Sequence, residues 1–141
     1  EVLDFYLAHT SRINNWDLVD LSAPAIVGKY LMNKPQERGL LYSLAESTSL
    51  WEQRIAMVST LTLIRNEELD DTYSMAVKLM NHKHDLMRKA VGWMLREAGK
   101  RDQRRLELFL DEYATSMPRT MLRYSIEKFP EPLRRHYLTM K

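Results

Sequence analysis

Apolar residues along this chain recur at intervals of three and four, and no stretch alternates apolar with polar long enough to predict a strand. Breakers and caps divide the pattern into helices near 2–9, 17–31, 35–46, 49–65, 67–81, 84–99, 102–116, 118–128 and 131–139. Pro35 falls in the first turn of its helix, and Pro118, Pro130 and Pro132 sit near other starts, where a fixed φ is tolerated. Ser49 can cap the helix carrying Trp51, and Glu52 three residues on supplies the return half of a capping box.

Helices joined by short connections predict antiparallel pairs. Within them three short motifs recur: Trp-Asp-Leu-Val-Asp at 16–20, Leu-Trp-Glu-Gln-Arg at 50–54 and Lys-Ala-Val-Gly-Trp at 89–93. Asp20 precedes Arg54 by 34 residues, Arg54 precedes Trp93 by 39, and Trp93 precedes Arg123 by 30. Such irregular spacing predicts degenerate HEAT-like units of two helices each, with residues 1–141 as a single all-α domain. In a stack of this kind each unit buries its apolar face on its neighbours, and the second helices line a concave surface. A non-repeating helical bundle is the plain alternative.

Composition narrows the chemistry. The chain has no Cys, which removes disulfides, thiolate catalysis and Cys-ligated metal centres. No apolar run approaches the roughly 20 residues of a membrane span, and no signal-peptide pattern opens the chain. The expected address is therefore the cytoplasm, in a bacterium the compartment of the nucleoid. The chain opens without Met inside Val2-Leu3-Asp4-Phe5-Tyr6-Leu7, more apolar than a terminal solenoid helix should show to water. The expectation is of a sequence trimmed at its N-terminus, with further helices packing there in the intact protein.

The net charge of +2 hides an asymmetry: residues 1–82 carry 7 Lys/Arg against 11 Asp/Glu, and residues 83–141 carry 14 against 8. A basic half favours a polyanionic partner; a solvated charged surface is the bland reading. Trp16 and Asp20, four apart, share one helical face, with Asp17 a helix-start acid. That pair is either a core indole with a capping or salt-bridging acid, or a carboxylate facing a bound sugar. Arg54, three residues after Trp51, either emerges at a groove edge to grip phosphate or pairs with a nearby Glu.

Lys89, Trp93, Arg96 and Lys100 form a stripe at spacings of four, three and four. Such a stripe suits nucleic acid, with cations on phosphates and an indole on sugar or base, and also suits a solvated face. Gly92 costs helix propensity, about 1 kcal/mol against Ala, and so predicts close approach of a neighbouring helix. Arg119 and Arg123 are four apart; Arg123 reads mainly as a tie between the last units. His9, His82, His84 and His136 make no convincing metal set, and no phosphate loop or nucleophile elbow is present.

These motifs carry a resemblance. Asn15-Trp-Asp-Leu-Val-Asp, Leu50-Trp-Glu-Gln-Arg, Lys89-Ala-Val-Gly-Trp-Met-Leu-Arg and Pro118-Arg-Thr-Met-Leu-Arg stand in order. They resemble the signatures of the AlkD-type DNA alkylation repair glycosylases, HEAT-like-repeat proteins forming a right-handed α–α superhelix. The likeness runs from about residue 10 to residue 128. It implies Asp20 as the catalytic carboxylate, Arg54 as a phosphate contact, and Trp16 and Trp93 as the indoles of the DNA cleft; Lys89 and Arg96, from the basic stripe, join them as DNA-binding candidates. It also implies hydrolysis of the N-glycosidic bond of cationic N3- or N7-alkylated purines in duplex DNA, without metal or cofactor. The implied products are a free base and an abasic site, with no obligate protein partner. The family's helices before the Trp-Asp segment are almost entirely absent here. Two other readings stand beside it: a non-catalytic relative that binds damaged or branched DNA, and a helical-repeat scaffold for protein interactions.

Overall fold

The computed structural model describes residues 2–8 and 16–141, with side chains of the second stretch from Leu18 onward. Among these residues the architecture is all-α: α1 (Val2–Ala8), α2 (Trp16–Ser22), α3 (Lys29–Asn33), α4 (Gly39–Ala45), α5 (Leu50–Arg65), α6 (Asp70–Leu79), α7 (Asp85–Arg101), α8 (Gln103–Tyr113), α9 (Arg119–Ser125) and α10 (Glu131–Thr139). None of them is long and apolar enough to cross a membrane.

Packing follows an alternate-helix rule. The rod from α2 to α3 lies against α5, α5 lies against α7, and α7 lies against α9; α4 and α6 form a second layer behind α5. This two-layer order is consistent with a helical-repeat stack, and it places all four motif-bearing helices in the same layer. Helix α5 sits at the centre. Ile55, Ala56, Met57, Val58, Ser59, Thr60, Leu61, Leu63 and Ile64 are all buried, as expected of a helix covered on every side. Its two buried hydroxyls are satisfied by carbonyls: Thr60 donates to Met57 at 2.7 Å and Ser59 to Ala23 at 3.4 Å.

Most predicted helices are present, and their departures have local causes. The rod predicted over 17–31 extends to Asn33 but contains a π-turn over Ala23–Gly28. Pro24 has no N–H to give the carbonyl of Asp20, and its ring crowds that carbonyl. The backbone opens by one residue, and Lys29 N–H reaches back to the Pro24 carbonyl. Helix α5 supports the opening: Thr62 donates its hydroxyl to the same Pro24 carbonyl at 2.6 Å. The helix predicted over 35–46 instead begins as a 3₁₀ turn at Pro35–Glu37 before α4.

The helix predicted from residue 67 starts only at Asp70. Glu67 adopts φ 65°, while its N–H bonds the Ile64 carbonyl and that of Glu68 bonds the Leu63 carbonyl, both at 2.9 Å. This closes α5 in a Schellman motif without the usual glycine, which is why composition does not announce it. Ser49 caps α5 by accepting from Glu52 N–H at 3.3 Å. Ser47 then links the box, accepting from Ser49 N–H at 3.0 Å and donating to the Glu52 carboxylate at 2.6 Å.

Two glycines set the spacing inside the motif layer. A Cβ on Gly92 would lie 2.5 Å from Tyr124 Cβ and 2.7 Å from the Met121 carbonyl, so the close approach read from its sequence position is present. A Cβ on Gly28 would lie 2.6 Å from the Ser59 carbonyl. By contrast, nothing stands within 4 Å of the same position on Gly39. Gly28→Ala and Gly92→Ala should therefore each lose about 1–3 kcal/mol through forced backbone shifts. Gly39→Ala should be neutral or gain about 0.4–1 kcal/mol from reduced unfolded-state entropy. Urea denaturation of the three variants separates these outcomes.

Candidate functional site

The motif layer presents two open depressions that share one wall, the indole of Trp93. The larger, about 500 Å³, is lined by Asp20, Leu21, Pro24, Lys29, Thr62 and Arg65, among others. The second, about 290 Å³, is lined by Arg54, Leu86, Lys89, Arg96 and Tyr124. Asp20 and Trp93 thus meet in one depression, while Lys89, Trp93 and Arg96 meet in the next. Trp16 is the first residue of α2, and its side chain lies outside the described residues.

Arg54 is not at the groove edge, as one reading of its position had it, but beneath Asp20. Its Nε donates to Asp20 Oδ1 and its Nη2 to Asp20 Oδ2, both at 2.9 Å, while Nη1 donates to the Leu86 carbonyl at 2.6 Å. The guanidinium side chain is 8% exposed, the carboxylate 25%. A planar fork with in-plane donors fits a carboxylate edge bidentately and leaves one nitrogen for a third acceptor. The buried residue is therefore a holder of Asp20 first, with only its edge reachable from the second depression. Each carboxylate oxygen keeps a second lone pair beyond the one the fork uses.

The Leu86 carbonyl is itself positioned by the turn before α7. His84 caps that helix, its Nδ1 accepting from Leu86 N–H at 3.2 Å. His82 Nδ1 accepts from His84 N–H at 3.0 Å, so the neutral ring carries its proton on Nε2, facing Gln53 Oε1 at 2.7 Å. Arg88 donates to the His82 carbonyl at 2.9 Å. Burial, then the nearby His84 and Arg88, push the His82 imidazole below its ordinary value of 6.5. The histidines thus act as hydrogen-bonded turn residues in this fold.

The basic stripe is partly neutralised within the protein. Lys89 pairs with Asp85 at 3.3 Å in an exposed, same-helix contact. Arg96 pairs with Glu127, and its Nε, buried and 3.6 Å from Glu97, has no hydrogen-bond partner. Lys100 stands not with Lys89 but in a further depression, bordered by Arg96 and Lys128. Arg123, read as a tie between the last units, is instead exposed on α9, as is Arg119. Lys29, Arg65 and Thr62 belong to no recurring motif, and only the fold brings them to the Asp20 depression.

The family model for DNA alkylation repair enzymes matches residues 1–129. No curated protein matches the chain.

Removing the Arg54 fork leaves a carboxylate and a carbonyl without their donors, so Arg54→Ala should cost roughly 3 kcal/mol. Arg54→Lys should recover less than half of that, since an ammonium cannot span both oxygens and Leu86; equilibrium unfolding measures both. Separately, the fold holds His82 neutral. Its contribution is full above about pH 6.5 and is lost as pH falls below that value, because the unfolded chain then binds the proton more readily. Unfolding free energy should therefore fall with acidification below about pH 6.5, and less steeply in His82→Asn.

Proposed function

The chain belongs to the DNA alkylation repair enzyme family, and from that premise we propose that it is a monofunctional glycosylase. It hydrolyses the N-glycosidic bond of cationic N3- or N7-alkylated purines in duplex DNA. The observation that carries this reading is the forked Asp20 carboxylate opening onto a depression walled by the Trp93 indole.

The chemistry needs little else. An alkylated purine is already positive, so it leaves with the bonding electron pair as a neutral base and needs no acid. The deoxyribose carbon left behind acquires oxocarbenium character. Asp20, held rigid by Arg54, puts fixed negative charge beside that carbon and stabilises the transition state. A water then bonds the sugar carbon and loses its proton to the carboxylate or to solvent, which completes an abasic site. Trp93 packs against the sugar or the cationic base, an interaction worth about 0.5–2 kcal/mol depending on desolvation.

Arg54 contributes in a second way. A bare carboxylate would repel the phosphates of an approaching strand, whereas the underlying guanidinium cancels that charge at a distance. Close to the oxygens the negative field persists, where the sugar would sit. Phosphate capture falls to Lys89 and to the part-exposed end of Arg96, which line the second depression. The open depressions suit engagement of backbone and sugar rather than a deep base pocket, and the cytoplasmic, nucleoid-facing location follows from that substrate.

Asp20→Asn keeps the shape of the side chain and removes its charge. On duplex DNA containing N7-methylguanine it should slow single-turnover base release by about 100-fold or more, with DNA affinity changed little. Base release at the wild-type rate in Asp20→Asn would leave only a DNA-binding role for this surface.

A further inference from the structure

The depression holding Asp20 contains two cations with no assigned role. Lys29 follows the π-turn of the α2–α3 rod, and Arg65 closes α5. Both are exposed, both line the depression with Asp20 and Trp93, and neither is paired with a carboxylate among the described residues. Several cations outside this depression are treated differently. Lys78 meets Glu46 at 2.7 Å, Arg101 meets Glu67 at 2.9 Å, and Arg105 meets Asp70 at 2.7 Å. The site therefore keeps unneutralised charge beside a surface of Leu21, Pro24, Ala25 and Leu61.

The π-turn is what puts Lys29 there. At about 100° per residue, a regular α-helix would set Lys29, nine residues beyond Asp20, on the opposite face, roughly 180° round. The π-turn absorbs one residue and reduces the offset to roughly 80°. Its geometry is held from both sides of the depression, since the Pro24 carbonyl accepts from Lys29 N–H and from the Thr62 hydroxyl.

We infer that Lys29 and Arg65 form a second phosphodiester clamp, across Trp93 from Lys89 and Arg96, so that the nucleotide facing Asp20 is held by the phosphates on both of its sides. This rests on the reading of the surface as one that holds duplex DNA. The carboxylate gives the arrangement its logic. Phosphates cannot lie over Asp20, so a strand crossing the site must place one on each side of it. The two depressions supply cations at those two places. With the sugar fixed at both ends, it cannot slide along the strand direction away from the carboxylate.

The test is binding, which does not depend on catalysis. Affinity for a duplex bearing a tetrahydrofuran abasic analogue is measured against sodium chloride concentration. The proteins are the wild type, Lys29→Ala/Arg65→Ala, and Lys78→Ala/Arg104→Ala, whose cations line neither depression. The clamp variant should flatten the log–log salt slope by roughly 1–2 units, at about 0.9 for each phosphate that it no longer neutralises, and the control pair by much less. Replacing one flanking phosphate by neutral methylphosphonate should weaken wild-type binding several-fold and leave the clamp variant unmoved.

A clamp-variant slope equal to wild type, or a change no larger than the control's, would overturn the proposal. So would a lowered melting temperature with an unchanged slope, which would make Arg65 only a helix-end cation. A wild type that binds duplex but releases no alkylpurine overturns the glycosylase reading and leaves the clamp to be decided by the slopes. A wild type with no salt-dependent duplex binding overturns both.

Discussion

The fork between Arg54 and Asp20 is the interaction on which the rest of the site depends. It joins residues 34 apart in sequence and, through the Leu86 carbonyl, fastens α2, α5 and α7 at one point. Its net contribution to stability is modest, because burying a guanidinium costs several kcal/mol before the pairing returns it. Its contribution to specificity is larger. Apolar packing between helices is non-directional, whereas a bidentate pair accepts one rotation and one register of α2 on α5. The carboxylate proposed to stabilise the cationic sugar is thus also the one that fixes how the first helices dock.

Around that point the protein distributes charge unevenly. Acidic residues of the first half are drawn on by basic residues of the second, as in Glu67 with Arg101 and Asp70 with Arg105. Exposed pairs of this kind add little stability, about 0–1 kcal/mol each. Their larger effect is on the surface potential: Lys78, Arg101 and Arg105 meet carboxylates, while Lys29 and Arg65 meet none among the described residues. The excess of basic residues after residue 82 is therefore a poor map of the attractive surface. Which cations find carboxylates matters more than how many there are.

Much of the fold was legible in the chain because helix signals are local. Pro118 and Pro130 mark starts, Ser49 marks a cap, and Gly92 marks the close packing against Tyr124 and Met121. Recurring motifs also placed Asp20 and Trp93 on a common surface. What escaped was non-local or concealed. The burial of Arg54 depends on which helix lies over it, which no spacing within α5 reveals. Pro24, inside a helix predicted without a break, was the available sign of the π-turn. Without that turn the helical wheel assigns Lys29 to the wrong face, so a correct helix gave an incorrect set of neighbours. Arg65 sits in the last turn of α5 in no motif, with only its ordinary role at a helix C-terminus to suggest it.

The π-turn also changes what kind of mutation the surface is sensitive to. Between Asp20 and Lys29 the chain carries one residue more than a regular helix would need, and the surplus is stored as a local widening. A relative lacking a single codon in this interval could retain every side chain named here. Its helix would then run as a regular α-helix, and the residues downstream would keep their facing, because the residue lost is the one that the π-turn absorbs. The gap that alignment places there would look disruptive and yet leave the surface aimed as before. A substitution at Pro24 that closed the turn at unchanged length would leave no gap, and it would re-aim Lys29 by about a quarter to a third of a revolution.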